Sequence, residues 1–332
     1  MRTDQRRCAQ AIPIYFELVS NRATNRPNDR LGDRDMARTS KLSAKPSAAP
    51  VGEQLELYRR MWALRLLDMA LEESRIDGLL NGPMVAAFGQ EAVAVGATAA
   101  LRPGDIISTA IPHFQHAEQI GLSLPLGPAI AEIFAPSREV GGASSEDPFA
   151  AEWKLIFAGS SPLKQSVMFA LGDAYAQQMA GAGKVTLCVI GNEDSNSVEF
   201  ETAARIAVSW RLPVVFVVED IRTGSGVRRG ARGSHGMPVL LADGRDVAAV
   251  HKSVAHAVER ASVGGGPTVV KAVTYRTNHP SGVDPLVFAR RRLIGAGVSD
   301  DHLYEVERRA RQMMAEAMSS ANELLGAEDP AS

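Results

Sequence analysis

The sequence predicts a doubly wound α/β fold with a mostly parallel sheet, and three stretches predict it. KVTLCVIG (184–191) and LPVVFVVED (212–220) are continuously apolar runs of strand length, and NSVEFETAARIAVSWR (196–211) between them has helical spacing. Strands without polar alternation are buried on both faces, and a helix between two of them makes a βαβ unit. The order repeats in DVAAVHKSVAHAVERA (246–261), a helix, and GPTVVKAVTYR (266–276), a strand. In such sheets ligands bind beyond the carboxyl ends of the strands. That expectation singles out Gly191–Ser195 and Glu219–Thr223.

Taken in chain order, residues 1–50 stand apart. NRATNRPNDRLGDRDMARTSKLSAKPSAAP (21–50) is rich in Arg, Asn, Ser and Pro and poor in large apolar residues. It has too little surface to bury against its ordering entropy, so 1–50 is expected to be a disordered extension. Asp29, Asp33 and Asp35 argue against a transit peptide, and Met36 is an alternative start. The α/β domain is expected over 51–327, with 328–332 as a tail. EQLELYRRMWALRLLDMALEESRID carries apolar residues at three- and four-residue intervals, a helical pattern. GQEAVAVGATAALRPGD (89–105) reads as a helix stopped by Pro103-Gly104. Residues 138–165 read as loop, 166–181 as a buried helix, and DHLYEVERRARQMMAEAMSSANELL as a closing amphipathic helix.

Bulk composition narrows the function classes. The 332 residues are 45% hydrophobic and 22% charged with a net charge of −2, so neither nucleic acid nor a membrane surface is an expected partner. No apolar run reaches the ~18 residues of a membrane span. Cys8 and Cys188 have no metal-ligand spacing, and a reducing cytoplasm is the expected compartment.

The chemistry concentrates in GNEDSNS (191–197) and EDIRT (219–223). A glycine turn after one parallel strand meets the polar end of the next. This arrangement can clamp a diphosphate through a divalent metal, whose hard charge takes oxygen ligands from both loops while a helix amino terminus faces the phosphate.

The chain resembles the α-subunit of the thiamine-diphosphate-dependent, decarboxylating component of 2-oxo acid dehydrogenase complexes, of the pyruvate or branched-chain type. LYRRMWALRLLDMAL, GQEAVAVGATAALRPGD, FETAARIAVSWRLPVVFVVED, GRDVAAVHKSVAHAVERA and GPTVVKAVTYR carry the resemblance, in the family's order. It implies a thiamine-diphosphate-binding fold, thiamine diphosphate and Mg²⁺ as cofactors, a β-subunit partner in an α2β2 assembly, and a lipoyl-bearing acyltransferase as acceptor of the acyl group. It also implies roles for single residues. Gly191 falls on the first glycine of the family's G-D-G metal motif, Asn192 on its aspartate and Glu193 on its second glycine. Asn196 matches an asparagine after that motif, and Gln90 and Glu91 match the cofactor side. The metal set becomes Asn192, Asp194, Asp220 and Thr223, the last through its carbonyl. His279 falls on the loop whose histidine works near the reacting carbon.

The same comparison marks departures. Asp220 and Ile221 stand where the family has two asparagines, the second a ligand, and isoleucine offers no oxygen to a metal. Ile111 and Pro112 stand where the family has Tyr-Arg, and SSPLKQ (160–165) replaces a glycine-rich segment, with Lys164 as a charge nearby.

Two readings of 192–196 stay open. One is a modified metal–diphosphate loop. The other is a helix start, with Asn196 and Glu199 as a capping-box pair. Asp220 could replace the missing asparagine only if the strand bulges there, because neighbouring strand residues face opposite sides. His113 and His116 read as packing or surface residues, and Arg228, Arg229 and Arg232 as a solvated face, a dock for an acidic partner or an anion clamp. Function is therefore open between an α-subunit of a working dehydrogenase and a non-catalytic homologue that keeps the fold and the β-binding surface.

Overall fold

The computed structural model describes residues 50–76, 88–109, 111–121, 126–134, 162–192, 195, 197–222, 236–275 and 283–327. Chain order runs α1 (Val51–Ile76), α2 (Glu91–Thr98), β1 (Ile106–Thr109), α3 (Pro112–Gly121), α4 (Leu126–Phe134), α5 (Pro162–Ala180), β2 (Thr186–Gly191), α6 (Val198–Trp210), β3 (Val214–Arg222), β4 (Val239–Asp243), α7 (Val247–Ser262), β5 (Thr268–Tyr275), α8 (Pro285–Gly295) and α9 (Asp300–Ala327). Five strands form one parallel sheet in the order β1-β2-β3-β5-β4.

The apolar runs of β2 and β3 are buried on both faces, as continuous strand hydrophobicity predicts. Leu187 and Val189 of β2, with Val215 and Val217 of β3, enter the larger core beneath α1, α2 and α7. Their alternates Cys188 and Ile190, and Val214, Phe216 and Val218, enter a second core against α5 and α6. The chain steps from β1 to β2 to β3, passes to the far edge for β4, and returns to place β5 between. The reversal puts α6 and α7 on opposite faces. It also sets the switch in strand order between β3 and β5, at whose carboxyl ends a doubly wound sheet binds ligands.

Several expectations change. The helix expected over 89–105 is only Glu91–Thr98. The chain then turns at Gly104, whose φ is +87°, and enters the edge strand β1. The helix expected from 166 begins at Pro162, because a proline at a helix start gives up no needed N–H. The edge strands β1 and β4 and the helices α3, α4 and α8 add to the elements expected. β1 and β4 have only 4 and 5 residues, too few for periodicity to show. The extension 1–49, the 138–161 loop, the Arg228–Arg232 run and the tail lie outside the described residues.

Candidate functional site

β2 ends at Gly191, which pairs with Glu219 of β3. The ladder runs one step further, since the Asn192 N–H donates to the Glu219 carbonyl at 2.9 Å. The described residues of the turn then bond locally. Ser195 Oγ donates to the Asn192 carbonyl at 2.7 Å, and Ser197 is the N-cap of α6, its hydroxyl accepting from the Phe200 N–H at 3.1 Å. The cap is therefore Ser197 and not Asn196, one residue later than the capping-box reading. Ser197 has the extended φ/ψ of a cap and a hydroxyl that reaches the third helical amide. Glu199 and Glu201 lie in the first turn, where the helix dipole favours acid.

β3 continues without a bulge. Its register with β5 is unbroken from Val215↔Thr268 to Arg222↔Tyr275. Asp220 thus shares the face of Val214, Phe216 and Val218, and Ile221 the opposite face with Val215, Val217 and Glu219. No bulge brings Asp220 to the place of Ile221.

On the Asp220 face sits a residue that the sequence reading passed over. Lys271 of β5 donates from Nζ to Asn192 Oδ1 at 3.1 Å and pairs with Asp220 Oδ2 at 3.2 Å. Arg222 Nε approaches the same Asp220 oxygen at 3.5 Å. Asp220 is only 2% exposed, and its Oδ1 has no hydrogen-bond partner among the described residues. One signal could have found this lysine: it is the sole charge in TVVKAVTY, a strand otherwise buried or half-buried.

A second buried group lies at the start of α2. Glu91, fully buried, pairs with Arg65 of α1 and accepts from the Gly89 N–H at 3.0 Å. Arg65 also donates to Asp284 Oδ2 at 3.0 Å, and the Phe88 ring lies under its guanidinium. Asp284 in turn caps α8 through the Leu286 N–H. Burial pushes the Glu91 carboxyl above the usual range, with Arg65 pulling against it. Burial works against the Arg65 charge as well, but Glu91 and Asp284 outweigh it, and Arg65 is held above its ordinary value. Gln90 is the N-cap residue of α2 and makes no side-chain cap bond. Glu91 is therefore locked into an internal ion network that anchors α1, α2 and α8 together.

A family model described as "Dehydrogenase E1 component" matches residues 58–324. The chain belongs to the dehydrogenase E1 component family. Within that family it is 29% identical over 300 residues to the α-subunit of the pyruvate dehydrogenase E1 component of Zymomonas mobilis, covering 81% of this chain and 84% of the relative. It is 28% identical over 233 residues to the α-subunit of acetoin:2,6-dichlorophenolindophenol oxidoreductase of Bacillus subtilis, covering 67% and 69%. The 2-oxoisovalerate dehydrogenase α-subunit of Bacillus subtilis is 27% identical over 269 residues, covering 76% and 79%.

The resemblance implies a divalent cation and a diphosphate at the β2 and β3 ends, and the described residues there do not fit the cation. Asn192 Oδ1 and Asp220 Oδ2 are both on the Lys271 ammonium, and Ile221 presents hydrocarbon on the other face. No group of three His, Cys, Asp or Glu residues among the described residues could hold a metal. Glu193, Asp194, Asn196, Thr223 and His279 lie outside the described residues. Ile111 packs on the larger core and Pro112 opens α3 at the place of the family's Tyr-Arg pair, while His116 lies on α3. Cys188 is no candidate nucleophile: burial, then the charge of Asp173, pushes its thiol up to about 12.

Proposed function

We propose that this chain is the α-subunit-like half of a thiamine-diphosphate-dependent 2-oxo acid dehydrogenase, paired with a β-type chain in an α2β2 assembly in the cytoplasm. The activity assigned to the pair is oxidative decarboxylation of a 2-oxo acid, with the acyl group passed to a lipoyl-bearing acyltransferase. Support for the paired state comes from α5. One side of this helix packs Val167, Ala170, Leu171 and Ala174 into the second core. Its other side leaves Met168, Phe169, Tyr175 and Met179 exposed, Met179 at 70%. Trp210 of α6, 57% exposed, extends the patch, with its ring 5.6 Å from that of Tyr175. A helix that is apolar on both sides is built to be covered on both.

In this reading His279 serves the acid–base step and Gly191, Asn192, Glu193, Asn196, Gln90 and Glu91 line the cofactor side, while Mg²⁺ on Asn192, Asp194, Asp220 and Thr223 would require Lys271 to release Asn192 and Asp220. The contact of Lys271 with Asn192 and Asp220 favours a second reading: a non-catalytic α-type chain that lends its fold and its surface to a β-type chain without holding the cofactor.

Co-expression with a β-type chain tests the pairing. The expected result is co-purification at the mass of an α2β2 assembly by light scattering, and chains that elute separately at micromolar concentration overturn it. Calorimetry of the assembled pair with thiamine diphosphate and Mg²⁺ separates the readings. Saturable heat supports the dehydrogenase, and silence at millimolar ligand supports the non-catalytic partner.

A further inference from the structure

We propose that the Lys271 ammonium is the cation that ties together the carboxyl ends of β2 and β3, so that this edge of the cleft is closed by the chain itself and does not respond to a divalent ion. Neighbouring strands lie roughly 4.8 Å apart, so β5 is about two strand spacings from β2. Lys271, level with Val218 of β3, reaches across that distance from β5 and meets Asn192 beyond the end of β2. An ammonium has three donors and no acceptor. Here one goes to Asn192 Oδ1 and one faces Asp220 Oδ2, at 3.1 and 3.2 Å. The ends of β2 and β3 are thus joined to the middle of β5 at one point.

The charge count explains why this contact excludes a metal. Among the described residues at this point Asn192 is neutral, and the one carboxylate, Asp220, is matched by Lys271 with Arg222 nearby. A divalent ion on the same oxygens would have to displace the ammonium or stand beside it, and would find one formal negative charge where hard cations prefer several. Asp220 is almost wholly buried, so it needs a positive partner whether or not a ligand is present. Lys271 supplies that partner permanently. Among the described residues, the bonds donated by the Asn192 N–H and Ser195 Oγ and the one Ser197 Oγ accepts from the Phe200 N–H are internal too.

One consequence concerns reconstruction of the site. Asn192→Asp with Ile221→Asn and Glu193→Gly restores the family's side chains in sequence. The carboxylate introduced at position 192 would, however, take the Lys271 ammonium more firmly than the Asn192 amide does. Recovery of Mg²⁺ binding is expected only when Lys271→Met is added.

Thermal unfolding of the full chain, in EDTA and in millimolar Mg²⁺, tests the inference. The wild-type Tm is expected to be the same in both. Lys271→Met should lower it by roughly 5–10 °C, because Asp220 is left buried with only the more distant Arg222 to offset its charge. Lys271→Met with Asp220→Asn, which removes both charges, should regain at least half of that loss. A saturable rise of the wild-type Tm with Mg²⁺ overturns the proposal, and so does a Lys271→Met chain as stable as wild type. If Lys271→Met does not accumulate as folded protein, the double variant and the wild-type Mg²⁺ comparison still decide. The inference goes beyond the pairing proposed above and fails separately from it: Mg²⁺ stabilisation would sink the lysine closure and leave α2β2 assembly standing.

Discussion

At Asp220 and Ile221 one step along β3 separates a buried ion pair from a hydrocarbon face. A regular strand permits nothing else, and the register to β5 is regular through Arg222. The oxygen that Asp220 could offer a metal is therefore on the side of Lys271, where it is already in use. The ion pairs differ in weight, and burial decides which matter. Removing one partner of a buried pair such as Arg65–Glu91 costs about 3–5 kcal/mol, whereas part-exposed pairs contribute about 1 kcal/mol or less. Glu56 on α1 belongs to the second kind. The hydrogen bond from Arg59 holds its carboxyl down to about 2 from 4.5, against burial, with Arg60 assisting. Its folded pKa is depressed, so its contribution is present above pH 4.5 and is lost as the pH falls toward about 2. Glu56→Gln should therefore melt lower than wild type at pH 6, by at most about 3 °C. The gap should narrow below pH 4.5 and close near 2; a gap that stays constant with pH would refute the assignment.

Between elements, α2 approaches α7 closely enough that Gly96 admits no side chain. A Cβ added at Gly96 would lie 2.8 Å from the Val247 carbonyl oxygen and 2.9 Å from Val250 Cβ. Both are backbone or near-backbone atoms, so neither can rotate away. Gly96→Ala should destabilise the fold by about 1–3 kcal/mol, read as a lower denaturation midpoint with an unchanged slope. A neutral outcome would mean that α2 can slide on α7. Gly96 lies inside a stretch that reads simply as an alanine-rich helix, and nothing local marks its neighbour. Much else at this scale was legible. β2, α6, β3, α7 and β5 follow from continuous apolar runs alternating with helical spacing, because a parallel sheet covered on both faces requires that pattern. β1 and β4 escaped because short edge strands carry too few residues for a period. The site was legible as to place and not as to contacts. Gly191, Asn192 and Asp220 stand at the predicted strand ends. Lys271 lies far along the chain from both loops and meets them only through the strand order β2-β3-β5.

For the whole molecule, the two sides of the sheet are finished differently. Beneath α1, α2 and α7 the core is sealed further by α9, where Tyr58 of α1 donates to Glu307 of α9 at 2.7 Å, both buried. On the other side α5 and α6 cover the sheet and then present Met168, Tyr175, Met179 and Trp210 outward. Asp173 is the one charged residue from Ser166 to Ala180, so little on this helix opposes burial of its outer side. Its carboxyl is raised by partial burial even in the isolated chain, which makes it the residue most penalised by a partner that covers it. Met168→Glu with Met179→Glu places two charges on the exposed side and touches no buried side chain. The isolated chain should keep its Tm within about 2 °C, since exposed substitutions away from special contacts usually change stability by less than about 0.5 kcal/mol. Assembly with a β-type chain should weaken at least about tenfold, because each carboxylate would have to be stripped of water in an apolar contact. Loss of assembly with retained Tm would place the partner on α5. Assembly at wild-type affinity would move the β-binding surface to another face of the molecule.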